Sequence, residues 1–230
     1  MLFGLGAPVI AIAGAILAYA RILGAFVGFR MIFVGVLLGL LAVLTAIVAA
    51  FLTRGGRNPR ARRKMLTGVT ATILYFAALL GFALPTAGLP LINDITTDVQ
   101  DPPVFIALAH DPANRGRDMS YDSAFAPQQK AGYPTLGSKI VDRDPEDVFR
   151  VTERALSGIP GVDIVVVVPD EMRIEATITS SIFHFVDDLV VRVRPHDRGA
   201  IVDVRSKSRD GKGDLGANAA RIEALFLALR

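Results

Sequence analysis

The chain has 230 residues, no cysteine and no tryptophan, and a formal net charge of +3 from 25 Lys and Arg against 22 Asp and Glu. That charge is divided unevenly: residues 1–92 hold eight of the cations and no acid, and the rest holds all 22 acids with 17 cations, a net of −5. The pI of about 9.4 therefore reflects a basic loop between apolar runs rather than a nucleic-acid surface, and no such partner is expected. Without cysteine there is no disulfide and no thiolate chemistry, a composition compatible with either side of a membrane.

Three apolar runs open the chain. The first, 1–20, has no charged side chain before Arg21. Ala18-Tyr19-Ala20 resembles a signal-peptide cleavage site, but no Lys or Arg precedes the run and its length exceeds the usual apolar region of a signal peptide, so a retained membrane helix is favoured. The second, 31–53, is uncharged over 23 residues, about 34 Å as a helix, enough to span a bilayer. The third, 65–84, ends where Pro85 and Gly88 break it. These runs predict an N-terminal three-helix transmembrane bundle over 1–92, with the lipid bilayer as its first partner. Gly35 and Gly39 form a small-xxx-small pair on the second helix, suited to packing within the bundle or to a homo-oligomer.

Between the second and third runs, 54–64 reads RGGRNPRARRK and carries Arg54, Arg57, Arg60, Arg62, Arg63 and Lys64, against Arg21 and Arg30 between the first two. The positive-inside rule then sets the N-terminus in the cytoplasm and everything after the third helix in the periplasm of a Gram-negative cell. The spans hold no Asp, Glu, Lys or His, which points to anchoring rather than an ion path.

Residues 93–139 read as an extended connector, rich in Pro, Asn and Asp and without clear periodicity. Phe105, Tyr121, Phe125 and Tyr133 favour a connector that wraps over the following domain rather than a free stalk. From 140 onwards the pattern is α+β. Asp144-Pro145-Glu146-Asp147 starts a helix, with Asp144 as cap and Pro145 in the first helical position. Val162 to Val168, branched apart from Asp163, is expected to be a strand buried on both sides or central. Residues 171–180, 185–194 and 200–208 alternate polar and apolar, as antiparallel strands covered on one side do. A last helix over 214–229 has Leu215, Ala219, Ile222, Phe226 and Leu229 as its apolar stripe. The expectation is two helices packed on a mostly antiparallel four-stranded sheet in 140–230.

Ile92-Asn93-Asp94-Ile95-Thr96-Thr97-Asp98 with Pro102-Pro103, Phe185-Val186-Asp187-Asp188, the run Val204 to Arg209, and Asp214-Leu215-Gly216-Ala217-Asn218 with Arg221-Ile222 together resemble the bacterial family catalogued as domain of unknown function 1499. The resemblance covers about 93–230. It implies a domain found on membrane-associated or exported proteins and brings no activity, substrate or catalytic residue with it.

Read physically, the same residues predict one polar cluster: Asp187, Asp188, Arg205, Ser206, Ser208, Arg209, Asp214, Asn218 and Arg221, gathered where one strand starts beside the end of the next. A structural reading pairs the aspartates with the arginines while Ser208, Asp214 and Asn218 satisfy backbone. A ligand reading gives Arg205, Arg209 and the helix amides a small anionic group. A metal at Asp187, Asp188 and His184 is disfavoured because adjacent strand residues face opposite ways. No catalytic motif accompanies the three scattered histidines, and no cofactor is expected. A second polar surface, Arg173, Glu175, Thr177, Arg192, Arg194, Asp203 and Arg205, suits solvent, an envelope partner, or cover by the connector. The leading expectation is a membrane-anchored periplasmic domain that binds a protein partner or small ligand. Its competitors are an envelope enzyme using the Asp/Arg cluster and a structural subunit of a membrane complex.

Overall fold

The computed structural model describes residues 2–52 and 59–229; Arg54 and Arg57 of the basic loop lie outside the described residues. Helices α1 (Leu2–Tyr19), α2 (Ala25–Leu52) and α3 (Pro59–Ala83) follow one another, and a 3-10 turn, Leu84–Thr86, closes α3. All three helices are long and apolar enough to cross a membrane. Two of them start earlier than the apolar runs do. Pro59 opens α3, as suits a residue with no N–H to leave unpaired, so Arg60, Arg62, Arg63 and Lys64 form its first turns. Arg30 lies inside α2 rather than in the turn before it, with its guanidinium carbon 4.2 Å above the ring of Phe26. Arginine is a good helix former, so an apolar run measures the span and not the helix.

The bundle is packed small side in. Gly4, Ala7, Ala11, Gly14 and Ala18 are the buried residues of α1, and Gly28, Gly35, Gly39 and Ala42 those of α2. Large side chains such as Ile12, Ile16, Leu37 and Leu44 face outwards. In lipid there is no gain from hiding leucine, so helices associate through close backbone contact at small residues. A Cβ on Gly35 would stand 2.6 Å from the Ala7 carbonyl oxygen and 2.6 Å from the Tyr75 hydroxyl, and one on Gly39 would stand 2.9 Å from the Phe76 ring. Both glycines are thus spent on contacts inside the bundle.

The remainder folds around a six-stranded sheet rather than the four-stranded one expected. Its strands are β1 (Asp94–Thr96), β2 (Lys139–Val141), β3 (Val162–Val168), β4 (Arg173–Thr179), β5 (Val186–His196) and β6 (Gly199–Ser208). The order is β1-β6-β5-β4-β3, with β2 pairing the other half of β6, and every described pairing is antiparallel. The two added strands are three residues long, too short to display a period of two. They divide the length of β6 between them, β1 against residues 205–207 and β2 against 200–202. Gly199 must be glycine. Its φ is 115°, and a Cβ there would meet the Val141 carbonyl at 2.5 Å.

Strand β3 is an edge strand, not a central one. Its apolar run Ile164 to Val168 is accommodated by a bulge between Ile164 and Val166. The bulge switches which parity faces inwards, so Val162, Ile164 and Val167 all reach the core while Val165 is exposed. Helices α5 (Pro145–Ser157) and α6 (Ala217–Ala228) pack on one face. The Asp144 carboxylate caps α5 by accepting the N–H groups of Glu146 and Asp147. Residues 93–139, expected to lack regular structure, hold β1, two 3-10 turns, α4 (Phe125–Gly132) and the first residue of β2. The helices through Ala87, with Ser181–His184, form one compact unit; Gly88–Ser180 and the chain from Phe185 form the other.

Close packing at the helix glycines makes a testable contrast. A Cβ on Gly28 would meet the Ala18 Cβ at 2.5 Å and the Gly14 carbonyl oxygen at 2.7 Å, whereas one on Gly81 would meet open space. Unfolding in mixed micelles should show Gly28→Leu losing roughly 1–3 kcal/mol or more through overpacking. Gly81→Ala should be neutral or gain up to ~1 kcal/mol.

Candidate functional site

Alternation along the strands gives the sheet two faces of different chemistry. Leu189, Val191 and Val193 of β5 share one face with Val202 and Val204 of β6 and Ile174, Ala176 and Ile178 of β4, and this face carries α5 and α6. Asp188, Val190 and Arg192 share the other with Asp203, Arg205, Lys207 and Glu175. Much of the charge on that second face is withdrawn from solvent. Glu175, Asp188, Asp203 and Arg205 are all buried, beneath the segment that runs from Thr97 to about Tyr121. Phe105 and Leu108 of that segment pack on Val190 to make a small apolar centre among the charges.

Arg205, 1% exposed, is the hub of the covered face. Its guanidinium donates to both oxygens of Asp94, from Nε at 2.9 Å and Nη2 at 2.8 Å. It also donates to the carbonyls of Pro103 at 3.3 Å and Met119 at 3.0 Å. The rings of Phe105 and Tyr121 lie 4.8 and 5.6 Å from its central carbon, within cation–π reach. Lys207 adds a third donor to Asp94 at 2.8 Å. Fork geometry matched to a carboxylate is what lets a guanidinium be buried at all.

The neighbouring ties repeat the pattern. Glu175 accepts the backbone N–H groups of Ile106, Ala107 and Leu108 at 3.0, 3.1 and 2.8 Å, and also pairs with Arg173. Asp188 accepts from Arg209 at 2.6 Å and from Arg117 at 3.2 Å. Arg209 goes on to Asp111 at 2.9 Å. The Ala113 N–H and then Arg209 hold the Asp111 carboxyl below the usual carboxylate range. Asp203 accepts from Ser138, Arg192 and Arg194, and Arg192 reaches across to Asp101 at 2.9 Å. Four of these ties join a strand of the sheet to its cover: Glu175 to the N–H groups of 106–108, Asp188 to Arg117, Asp111 to Arg209 at the end of β6, and Arg192 to Asp101.

The helix face holds a separate network. Asp187 pairs with Arg221 of α6. Asn218 accepts from Ser206 at 2.7 Å and Arg221 at 3.0 Å, and donates to Ser208 at 3.0 Å. Asp214 accepts the N–H groups of Gly216 and Asn218 at 3.0 and 2.8 Å, which makes the turn into α6; burial pushes its carboxyl above the usual carboxylate range. The sheet therefore parts the nine residues expected to form one cluster. Asp188, Arg205 and Arg209 serve the cover, while Asp187, Ser206, Ser208, Asp214, Asn218 and Arg221 serve α6. Asp187 and Asp188 are adjacent in β5 and so must point opposite ways. Residues outside the predicted set complete the covered network: Asp94, Asp111, Arg117 and Glu175. Asp94 stood in the quoted motif, but a three-residue strand gave no register from which to pair it with Arg205.

Residues 94–229 match the family model described as a protein of unknown function, DUF1499. The chain belongs to that family. No curated protein matches it. The match begins at Asp94, the carboxylate that receives Arg205, so the DUF1499 domain includes the cover and its ion pairs as well as the sheet and helices.

Two measurements probe this network. Arg205→Ala in the full chain leaves Asp94 buried with Lys207 alone, a loss of about 3–5 kcal/mol, which a thermal melt should register. Arg205→Lys should also destabilise, since an ammonium cannot replace the fork. Asp94→Ala with Arg205→Ala should cost less than the two single losses summed.

The second measurement concerns pH. The hydroxyls of Tyr121 and Tyr133 are buried and, among the described residues, lack a hydrogen-bond partner. Burial, helped by Asp94 and Asp214 respectively, pushes both phenols from 10 up to about 12. The folded chain therefore holds these protons more tightly than the unfolded chain does. Stability is full below pH 10 and falls as pH rises towards about 12. Tyr121→Phe and Tyr133→Phe should flatten that alkaline loss without lowering the melting temperature at neutral pH.

Proposed function

We propose that the chain is a bacterial inner-membrane protein whose three helices anchor a periplasmic DUF1499 domain, and that the domain binds an envelope protein without catalysing a reaction. The topology rests on charge. Arg54, Arg57, Arg60, Arg62, Arg63 and Lys64 precede or open α3, while Arg21 and Arg30 lie at the other end of α2. The positive-inside rule keeps the larger group in the cytoplasm, so α3 runs outwards.

One observation carries the binding reading: the charged groups of the predicted site are consumed by one another. Asp188 is held by two arginines and Asp187 by one, so neither stands ready as a general base. Arg205 gives four of its five N–H groups to Asp94 and two carbonyls, which leaves little with which to grip an anion. At its centre the cover turns two apolar side chains outwards. Val104 and Ile106 are 62% and 46% exposed on either side of the inward-facing Phe105. Glu175 and Arg205 pin the chain there, so these side chains are offered with little backbone freedom left to lose on binding.

An alkaline phosphatase fused after α6 is expected to be active and a green fluorescent fusion dark; the reverse pattern would overturn the topology. A photo-reactive residue at Val104 in intact cells should capture an envelope protein, and Ile106→Glu should remove the adduct without lowering the melting temperature. A cellular defect found only in folded variants of Asp188 would instead return function to the ion-pair cluster.

A further inference from the structure

Leu215 is expected, from the spacing of apolar residues, to join the stripe of α6. It does not. It precedes the helix, is 50% exposed, and has a left-handed backbone with φ 54°. A leucine takes that conformation against a steric preference that glycine escapes, and the neighbouring Gly211 and Gly216 have φ values of 82° and 84°. Packing within the domain does not account for an exposed leucine held in this way.

The loop that carries it runs beside the segment by which the chain enters the domain. The Ser208 N–H donates to the Asn93 carbonyl at 2.8 Å, and the Asn93 side chain donates to the Gly211 carbonyl at 2.9 Å. A Cβ on Gly213 would meet the Leu91 side chain at 2.6 Å, and one on Gly216 would meet that of Leu89 at 2.7 Å. Leu91, 72% exposed, therefore projects from the strip of chain that lies along this loop, while Ile92 beside it is buried in the core. Lys212 and Asp210 are exposed on the same loop. Two large apolar side chains thus project from one small surface, and glycines seat the backbones that carry them.

The chain itself says what lies against that surface. Leu91 is five residues beyond Thr86, where the turn closing α3 ends. Five residues span at most about 17 Å. The polar zone of a bilayer is itself some 5–8 Å deep on each side. No charged residue stands between Lys64 and Asp94, so the apolar character of α3 continues through Leu84, Leu89 and Leu91 to the edge of the domain. Exposed leucines flanked by a lysine, at that distance from a spanning helix, match the chemistry of the boundary between lipid headgroups and acyl chains.

We propose that Leu91 and Leu215 are an interfacial anchor: they seat this face of the DUF1499 domain in the headgroup–acyl boundary of the bilayer that α3 crosses, with Lys212 meeting lipid phosphate. The leucine of the quoted Asp214-Leu215-Gly216 motif then serves the membrane, while Asp214 and Gly216 shape the turn that presents it.

Because the chain has no tryptophan, a single introduced one is the only indole emitter. The full chain would be reconstituted in vesicles whose lipids carry bromine near the top of the acyl chains, as four variants. Leu215→Trp and Leu91→Trp report the anchor, Val165→Trp the far edge strand β3, and Leu37→Trp the outward face of α2. The expected result is blue-shifted emission and loss of intensity to bromolipid at positions 215, 91 and 37, with position 165 quenched only by aqueous iodide. Leu91→Trp gives a reading independent of the left-handed backbone at 215. Emission at 215 and 91 that behaves like that at 165 overturns the anchor. So does emission shielded from iodide yet untouched by bromolipid, because protein then covers the patch. Loss of bromolipid quenching at 37 would remove the membrane span itself, a failure distinct from that of the anchor alone.

Discussion

Burying a guanidinium is costly unless its donors find acceptors, and the domain is arranged around meeting most of that demand for Arg205. Asp94 takes two of its N–H groups, the carbonyls of Pro103 and Met119 take others, and two aromatic rings close over the plane. Such a pair contributes little net stability compared with a well-packed apolar pair. Its effect is selective. A segment covering the sheet in any other register would strand a charge in a dry interior, so the pair determines which residues cover the sheet and where. Pro103 and Met119 mark two points of the cover, Asp94 fixes the strand through which the chain enters, and Glu175 holds the turn between them.

The two networks meet at the start of β5, across the peptide bond between Asp187 and Asp188, and again at Ser208. One carboxylate goes to Arg221 and the α6 side, the other to Arg209, Arg117 and the cover. Ser208 participates in both, its hydroxyl accepting from Asn218 on one side and its carbonyl from Arg117 on the other. Movement of α6 and movement of the cover therefore strain the same few residues at the start of β5 and the end of β6.

Much of this architecture was legible in the sequence because period and capping report on local structure. The three apolar runs, the Asp144 cap, the alternation of β4 to β6 and the last helix each have such a signal. What was hidden depended on partners far along the chain. Strands β1 and β2 are three residues long and exist because β6 offers them an edge. The bulge in β3 gave an edge strand the look of a central one. For the arginines and acids on the second face the pattern left solvent, a partner and cover by the connector all open, because charge usually is surface; residues 97–121 supply the cover. Leu215 fell at helical spacing from Ala219 and Ile222, yet Gly216 ends that spacing before the leucine can join it.

Strand β6 pairs with β1, β2 and β5, and it is the last strand to be synthesised. The partners Asp94 and Arg205 are 111 residues apart. A chain emerging from its N-terminus therefore holds β1, β2 and the whole cover with no edge to rest on until nearly all of the domain is available. Closure of this domain is a late and concerted event, and a nascent chain halted between Asp188 and Gly199 would leave Asp94 and Asp188 without the β6 groups that bury them.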